Sequence, residues 1–117
     1  MKNIIFTESS INIGGQELQA LQQMADLNAN GYRSVLLCKP SSKIGALARE
    51  RGLTVFEIVF KNPFDIVSIF RVTELIQQFK PQAIFSHGSR DAYISFAALS
   101  LLSFRKSFRN ILLYRVK

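Results

Sequence analysis

The sequence predicts an α/β domain built on one doubly wound parallel sheet, and three observations lead there. Short runs rich in Ile, Val and Phe alternate with longer segments of helical period, the pattern of βαβ units. Runs such as "RSVLLC" are apolar without alternation, as strands covered on both faces are. A length of 117 residues suits one compact core and is too short for two ordinary domains. Five strands joined by four right-handed crossovers, with helices on both faces, give the order 3-2-1-4-5.

The first strand is expected at Asn3 to Thr7. Beyond the adjacent glycines Gly14 and Gly15, Leu18, Leu21, Met24, Ala25 and Leu27 recur at helical spacing, with Gln19, Gln22, Gln23 and Asp26 on the other side. Gly31 stops that helix as a left-handed C-terminal glycine would. "RSVLLC" is strand two. Ser41 or Ser42 caps a short helix reaching Arg51, with Ile44, Leu47 and Ala48 inward and Gly52 closing it. "LTVFEIVF" is strand three. Asp65 caps a helix whose inner side is expected to be Ile66, Ile69, Phe70, Thr73, Ile76 and Phe79, ended by Pro81. "QAIFSH" is strand four. Ser89 is expected to cap a helix with Ile94, Ala97, Ala98, Leu101 and Leu102 as its apolar stripe and Tyr93 beside it, and "NILLYRV" is strand five.

Composition narrows the class. Hydrophobic residues make up 48% and charged residues 20%, which is globular and not disordered. Lys and Arg number 15 against 8 Asp and Glu, a formal +7 that favours polyanionic partners: nucleic acid, anionic lipid or phosphorylated ligands. Arg105, Lys106, Arg109, Arg115 and Lys117 concentrate part of that charge near the C-terminal end. Cys38 is the only cysteine, so an intrachain disulfide and a multi-cysteine zinc site are excluded, in keeping with a reducing cytosol. "MKNIIF" is too short a greasy stretch for a secretory signal, and "AYISFAALSLLSF" falls short of the ~20 residues that cross a bilayer. A cytoplasmic location is expected.

In an open parallel sheet, ligands bind beyond the carboxyl ends of the strands, at the switch point between strands one and four. "TESSINIGGQE" and "SHGSRD" fall there. A dinucleotide fingerprint would need G-x-G-x-x-G and an acidic residue ending strand two, but the glycines are adjacent and strand two ends in Cys38-Lys39. No Walker loop and no G-x-S-x-G elbow is present. His87 is the single histidine, without a cluster of acidic ligands near it in sequence, so a metal site is poorly supplied. What remains for Gly14 and Gly15 is a bare turn or a close backbone approach to a phosphate or sugar hydroxyl at a helix N-terminus. His87 is either a structural hydrogen-bonding group or a ligand contact, Arg90 offers a bidentate grip on phosphate or carboxylate, and Asp91 and Glu17 suit the first turns of their helices.

"IGGQELQALQQMADLNANGYRSVLL", "IFSHGSRDAY" and "LLYRVK" together resemble the N-terminal half of GT-B glycosyltransferases of the family 4-like type. The match lies in Gly14-Gly15-Gln16-Glu17 opening helix one, Gly31-Tyr32-Arg33-Ser34-Val35 turning into strand two, and Ser86-His87 ending strand four. The resemblance implies a single Rossmann-like domain over 1–117, which mainly binds the acceptor, and a second such domain that holds the nucleotide-diphosphate sugar. It implies that Gly14, Gly15, Ser89 and Arg90 face the donor diphosphate and sugar, and that His87 is the catalytic-site contact to the transferred sugar. It also implies that no metal or other cofactor is needed. The family's E-x7-E segment is missing, because Glu50 and Glu57 are one residue too close and fall in other elements. The donor-binding domain is therefore expected to be absent from this chain and supplied in cis or by a partner chain, and the domain alone to be inactive.

Acceptors of such enzymes are glycans or lipid-linked molecules, including those of bacterial polysaccharide and lipopolysaccharide synthesis. On that resemblance Arg105, Lys106 and Arg109 within "FRKSFR" form an acceptor or anionic-membrane surface, peripheral on the inner leaflet, where each base adds about 1 kcal/mol. The alternative is a non-catalytic basic domain that binds nucleic acid, membrane or a protein partner. No RNP stretch, zinc finger or helix-turn-helix spacing supports its nucleic-acid form.

Overall fold

The computed structural model describes residues 2–9, 15–62, 64–87, 89–103 and 112–115. Its elements alternate without exception: β1 (Lys2–Glu8), α1 (Gly15–Ala29), β2 (Tyr32–Cys38), α2 (Lys43–Glu50), β3 (Thr54–Glu57), α3 (Ile66–Phe79), β4 (Ala83–Ser86), α4 (Ser89–Ser103) and β5 (Leu112–Arg115). All pairings are parallel and the sheet runs β3-β2-β1-β4-β5, the order expected from the crossovers. β1 is central, bonded to β2 and β4, so the switch point falls between β1 and β4.

Strand alternation sorts the core into two layers. Ile4 and Phe6 of β1 and Leu36 and Cys38 of β2 pack with Ala20, Leu21 and Met24 of α1 and with Ile44 and Ala48 of α2. Ile5, Val35, Leu37 and Ile84 point the other way, against Val72 and Ile76 of α3 and Ile94, Ala98 and Leu102 of α4. Each fully buried side chain of this size contributes roughly 1.5–3 kcal/mol of transfer free energy.

The helix ends follow their chemistry. Ser42 is the N-cap of α2, its hydroxyl accepting the Gly45 amide at 3.2 Å. Asp65 caps α3 by accepting the Ser68 amide at 3.2 Å, and it also takes the Ser68 hydroxyl at 2.7 Å and the Lys61 amide at 3.0 Å. The Ser68 hydroxyl and then the Lys61 amide hold the Asp65 carboxyl below its ordinary range. Gly31 adopts φ +87°, the left-handed conformation that ends α1. Ser89 is the first residue of α4, and the position before it lies outside the described residues.

Three expectations need correction. β3 ends at Glu57, short of the expected Phe60. The Ile58 amide still bonds the Cys38 carbonyl at 2.8 Å, but buried Phe60 sits at φ +47° and turns the chain toward α3. α3 is rotated from the expected stripe: Ser68, Val72, Thr73 and Ile76 are buried, whereas Ile66 and Phe70 are 65% and 56% exposed. In α1 and α4, Ala25 is exposed, and so are Leu18, Leu101 and Tyr93, while Ala20 takes a core position.

Candidate functional site

The apolar stretches 4–6 of β1 and 83–85 of β4 are each followed by a hydroxyl residue, Thr7 and Ser86. Thr7 and Ser86 are register partners and both are fully buried, on the side of the sheet that faces α4. Their hydroxyl oxygens are 2.8 Å apart. The Thr7 hydroxyl donates to Asp91 Oδ2 at 2.6 Å, and the Ser9 hydroxyl donates to Oδ1 at 2.9 Å. The same Oδ2 accepts the His87 backbone N–H at 3.1 Å. Asp91 is fully buried in the first turn of α4, so its carboxylate has left water, and these donors replace its hydration. A carboxylate in the first turn also suits the helix N-terminus electrostatically.

His87 follows Ser86 and belongs to the opposite side of the sheet, with Phe85 and Phe6. Its ring stacks on Phe6, centroids 5.8 Å apart and planes 17° apart. Its Nδ1 lies 3.1 Å from the Thr7 carbonyl oxygen, which also receives the His87 amide at 3.1 Å. Half-buried, the imidazole is held at two points at the carboxyl edge of the sheet, by the Phe6 ring and the Thr7 carbonyl.

The other expected residues are placed as follows. Gly15 opens α1 and is exposed; a Cβ there would meet nothing within 4 Å among the described atoms, and its φ is not left-handed. Neither packing nor backbone conformation in the described chain therefore requires glycine at 15. Gly14 lies outside the described residues. Ser89 opens α4 beside His87. Arg90 extends to the loop before α3, where Nη1 donates to the Phe60 carbonyl at 3.4 Å, bracing the left-handed Phe60. Arg105, Lys106 and Arg109 fall outside the described residues. Among the described residues no three of His, Cys, Asp and Glu gather as a metal-binding group.

The network of Thr7, Ser9, Ser86 and Asp91 was not singled out by sequence. Its signal was there in part, because Thr7 and Ser86 are the polar ends of two otherwise apolar strands predicted to be neighbours. Glu8, at the end of β1, is also buried at 4% exposure.

Comparison with known proteins yields a likeness of fold. No family model matches the chain, and no curated protein matches it in sequence. Among solved structures, MurG of Acinetobacter baumannii superposes with a TM-score of 0.74 at 19% identity, over 98% of this chain and 35% of its own. A glycosyltransferase of Rickettsia africae ESF-5 gives 0.77 at 15% identity, over 97% and 29%. The lipopolysaccharide outer core galactosyltransferase WaaB, in its apo form, gives 0.67 at 10% identity, over 98% and 32%. The fold is that of an N-terminal domain of the GT-B glycosyltransferase architecture, and the chain spans about a third of the length of each of these structures.

Proposed function

We propose that this domain is the acceptor-side half of a glycosyltransferase that moves a sugar from a nucleotide-diphosphate sugar to a glycan or lipid-linked acceptor. The observation that carries the reading is Gly15. A glycine that the described residues do not need, at the N-terminus of a helix on the switch-point edge, is one whose bare backbone suits close approach by a ligand. A diphosphate is the ligand such a helix end favours. His87 then contacts the transferred sugar from across the switch point, with Gly14, Ser89 and Arg90 around the donor. The fold likeness to glycosyltransferases supports this assignment of chemistry.

Transfer requires a second wall to the cleft, so the donor-binding domain is proposed to come from further sequence or a partner chain, and the domain alone to be inactive. The reaction is proposed to need no metal. A cell-surface polysaccharide or lipopolysaccharide acceptor, made at the inner face of the cytoplasmic membrane, is the finer proposal. No helix among the described residues is long and apolar enough to cross a membrane. Peripheral contact with anionic lipid is supported by the formal +7 charge and by an apolar strip formed by Phe64 in the preceding loop and by Ile66, Val67 and Phe70 of α3, which are 86%, 65%, 69% and 56% exposed.

The test is a transfer assay with labelled nucleotide-diphosphate sugars, using this domain joined to its donor-binding half and membrane extract as acceptor. Label should move to a glycan or lipid product. Retention on nucleic-acid resin with no transfer from any donor would reject the reading.

A further inference from the structure

We propose that Asp91 is a positioning residue: by pinning the Thr7 peptide to the His87 backbone it holds the His87 ring as its Nδ1–H tautomer, which makes Nε2 an acceptor for a sugar hydroxyl. The sugar in that statement rests on the function proposed above; the tautomer does not. A carbonyl oxygen only accepts hydrogen bonds, so the 3.1 Å contact from His87 Nδ1 to the Thr7 carbonyl requires the proton on Nδ1. In the neutral ring the lone pair is then on Nε2. Stacking on Phe6 fixes the plane in which that lone pair points.

The Thr7 carbonyl is bonded directly by the His87 amide, and the buried carboxylate braces both residues. Oδ2 of Asp91 takes the Thr7 hydroxyl at 2.6 Å and the His87 amide at 3.1 Å, so one atom ties the end of β1 to the end of β4. Oδ1 takes Ser9 at 2.9 Å and draws the start of the following loop to the same point. Without these ties the Thr7 peptide and the imidazole would be held only by the β1–β4 pairing and the His87 amide bond, and Nδ1 would hold its acceptor less firmly. The chemical consequence is selective. A lone pair at Nε2 accepts from an O–H group and repels a phosphate or carboxylate oxygen, which also only accepts. The site is thus divided between amides at Gly15 for the anion and an imidazole acceptor for a hydroxyl.

The chain holds a single histidine, so ring-nitrogen NMR of the 117-residue protein, labelled with ¹⁵N-histidine, reports on His87 alone. At a pH where the ring is neutral, the expected pattern is a pyrrole-type Nδ1 and a pyridine-type Nε2. Asp91→Asn should keep it, because the amide oxygen can serve Thr7 and His87 while the amide nitrogen donates to Ser9. Asp91→Ala should shift it to a mixed or Nε2–H pattern. Thr7→Val, which keeps the volume and removes the hydroxyl, should shift it in the same direction, and it carries the test where Asp91→Ala does not fold. A pyridine-type Nδ1 in the unaltered protein would overturn the proposal, as would an unchanged pattern in folded Asp91→Ala or Thr7→Val. A failure of sugar transfer would leave these ring signals as they are, so the two readings fail separately.

Discussion

The two helical layers that cover the sheet have similar cores and unlike outer surfaces. Outside α1 and α2 stand Gln19, Gln22, Gln23, Asp26, Lys43, Arg49 and Glu50, as on an ordinary solvated helix face. Outside α3 and α4 stand Ile66, Val67, Phe70, Tyr93, Phe96 and Leu101, each at least 42% exposed. The first layer is complete with its inner face buried. The second leaves enough apolar area in water that a contacting surface is its expected use, and the proposed lipid contact supplies one.

Breaking the first layer should cost the most. A Cβ on Gly45 of α2 would lie 2.8 Å from Cys38 Sγ and 3.0 Å from the capping Ser42 Oγ. Gly45→Val is expected to lose about 3 kcal/mol in denaturant melts, the upper range for overpacking. Gly45→Ala should lose about 1 kcal/mol, since alanine's better helix propensity offsets part of the clash. Cys38 reports the same event: burial pushes its thiol up, so it should resist alkylation in the native protein and react faster in Gly45→Val.

In the second layer, Asp65→Ala should lose about 1 kcal/mol as the cap of α3 is removed. The Asp65 carboxyl is lowered from 3.8, so its contribution is complete above that pH and disappears as pH falls through the lower folded value. Melts at descending pH should therefore show the difference between Asp65→Ala and the unaltered protein shrink in acid. Val67→Glu with Phe70→Glu should change stability by less than about 0.5 kcal/mol per site, since both are exposed. The same pair should abolish co-sedimentation with anionic vesicles; equal binding to neutral vesicles by the unaltered protein would remove the membrane proposal. The smallest effect belongs to the exposed Arg49–Glu57 ion pair at 3.1 Å, where Glu57→Gln should change stability by less than about 0.5 kcal/mol.

The contrast between the layers also explains what sequence could and could not reveal. Strand order was legible because apolar runs and helical segments alternate regularly, and Ser42, Asp65 and Gly31 announced helix ends through local chemistry that packing does not override. The inner face of α3 was not legible. Ile66, Val67, Ile69, Phe70, Val72, Leu75, Ile76 and Phe79 surround that helix almost completely, so its period favours no single side. The turn at Phe60 was hidden for a different reason: a buried phenylalanine at positive φ contradicts its local preference and is held by its amide donating to the Ser68 hydroxyl and its carbonyl accepting from Arg90. At the site, His87 and Gly15 were visible as polar or bare residues at strand and helix ends. Asp91 looked like a helix-dipole partner only, because its bonds to Thr7 and Ser9 span more than eighty residues of sequence.

Gly15→Ala, measured for both folding and sugar transfer in the protein that joins this domain to a donor-binding half, separates a ligand-binding glycine from a bare turn. The substitution meets no described atom, so the melting temperature should stay the same or rise slightly. Transfer from a nucleotide-diphosphate sugar should fall about tenfold or more, the loss of roughly 1.4 kcal/mol of transition-state binding. Unchanged transfer with unchanged folding would contradict the account, because Gly15 would then serve neither the fold nor a ligand.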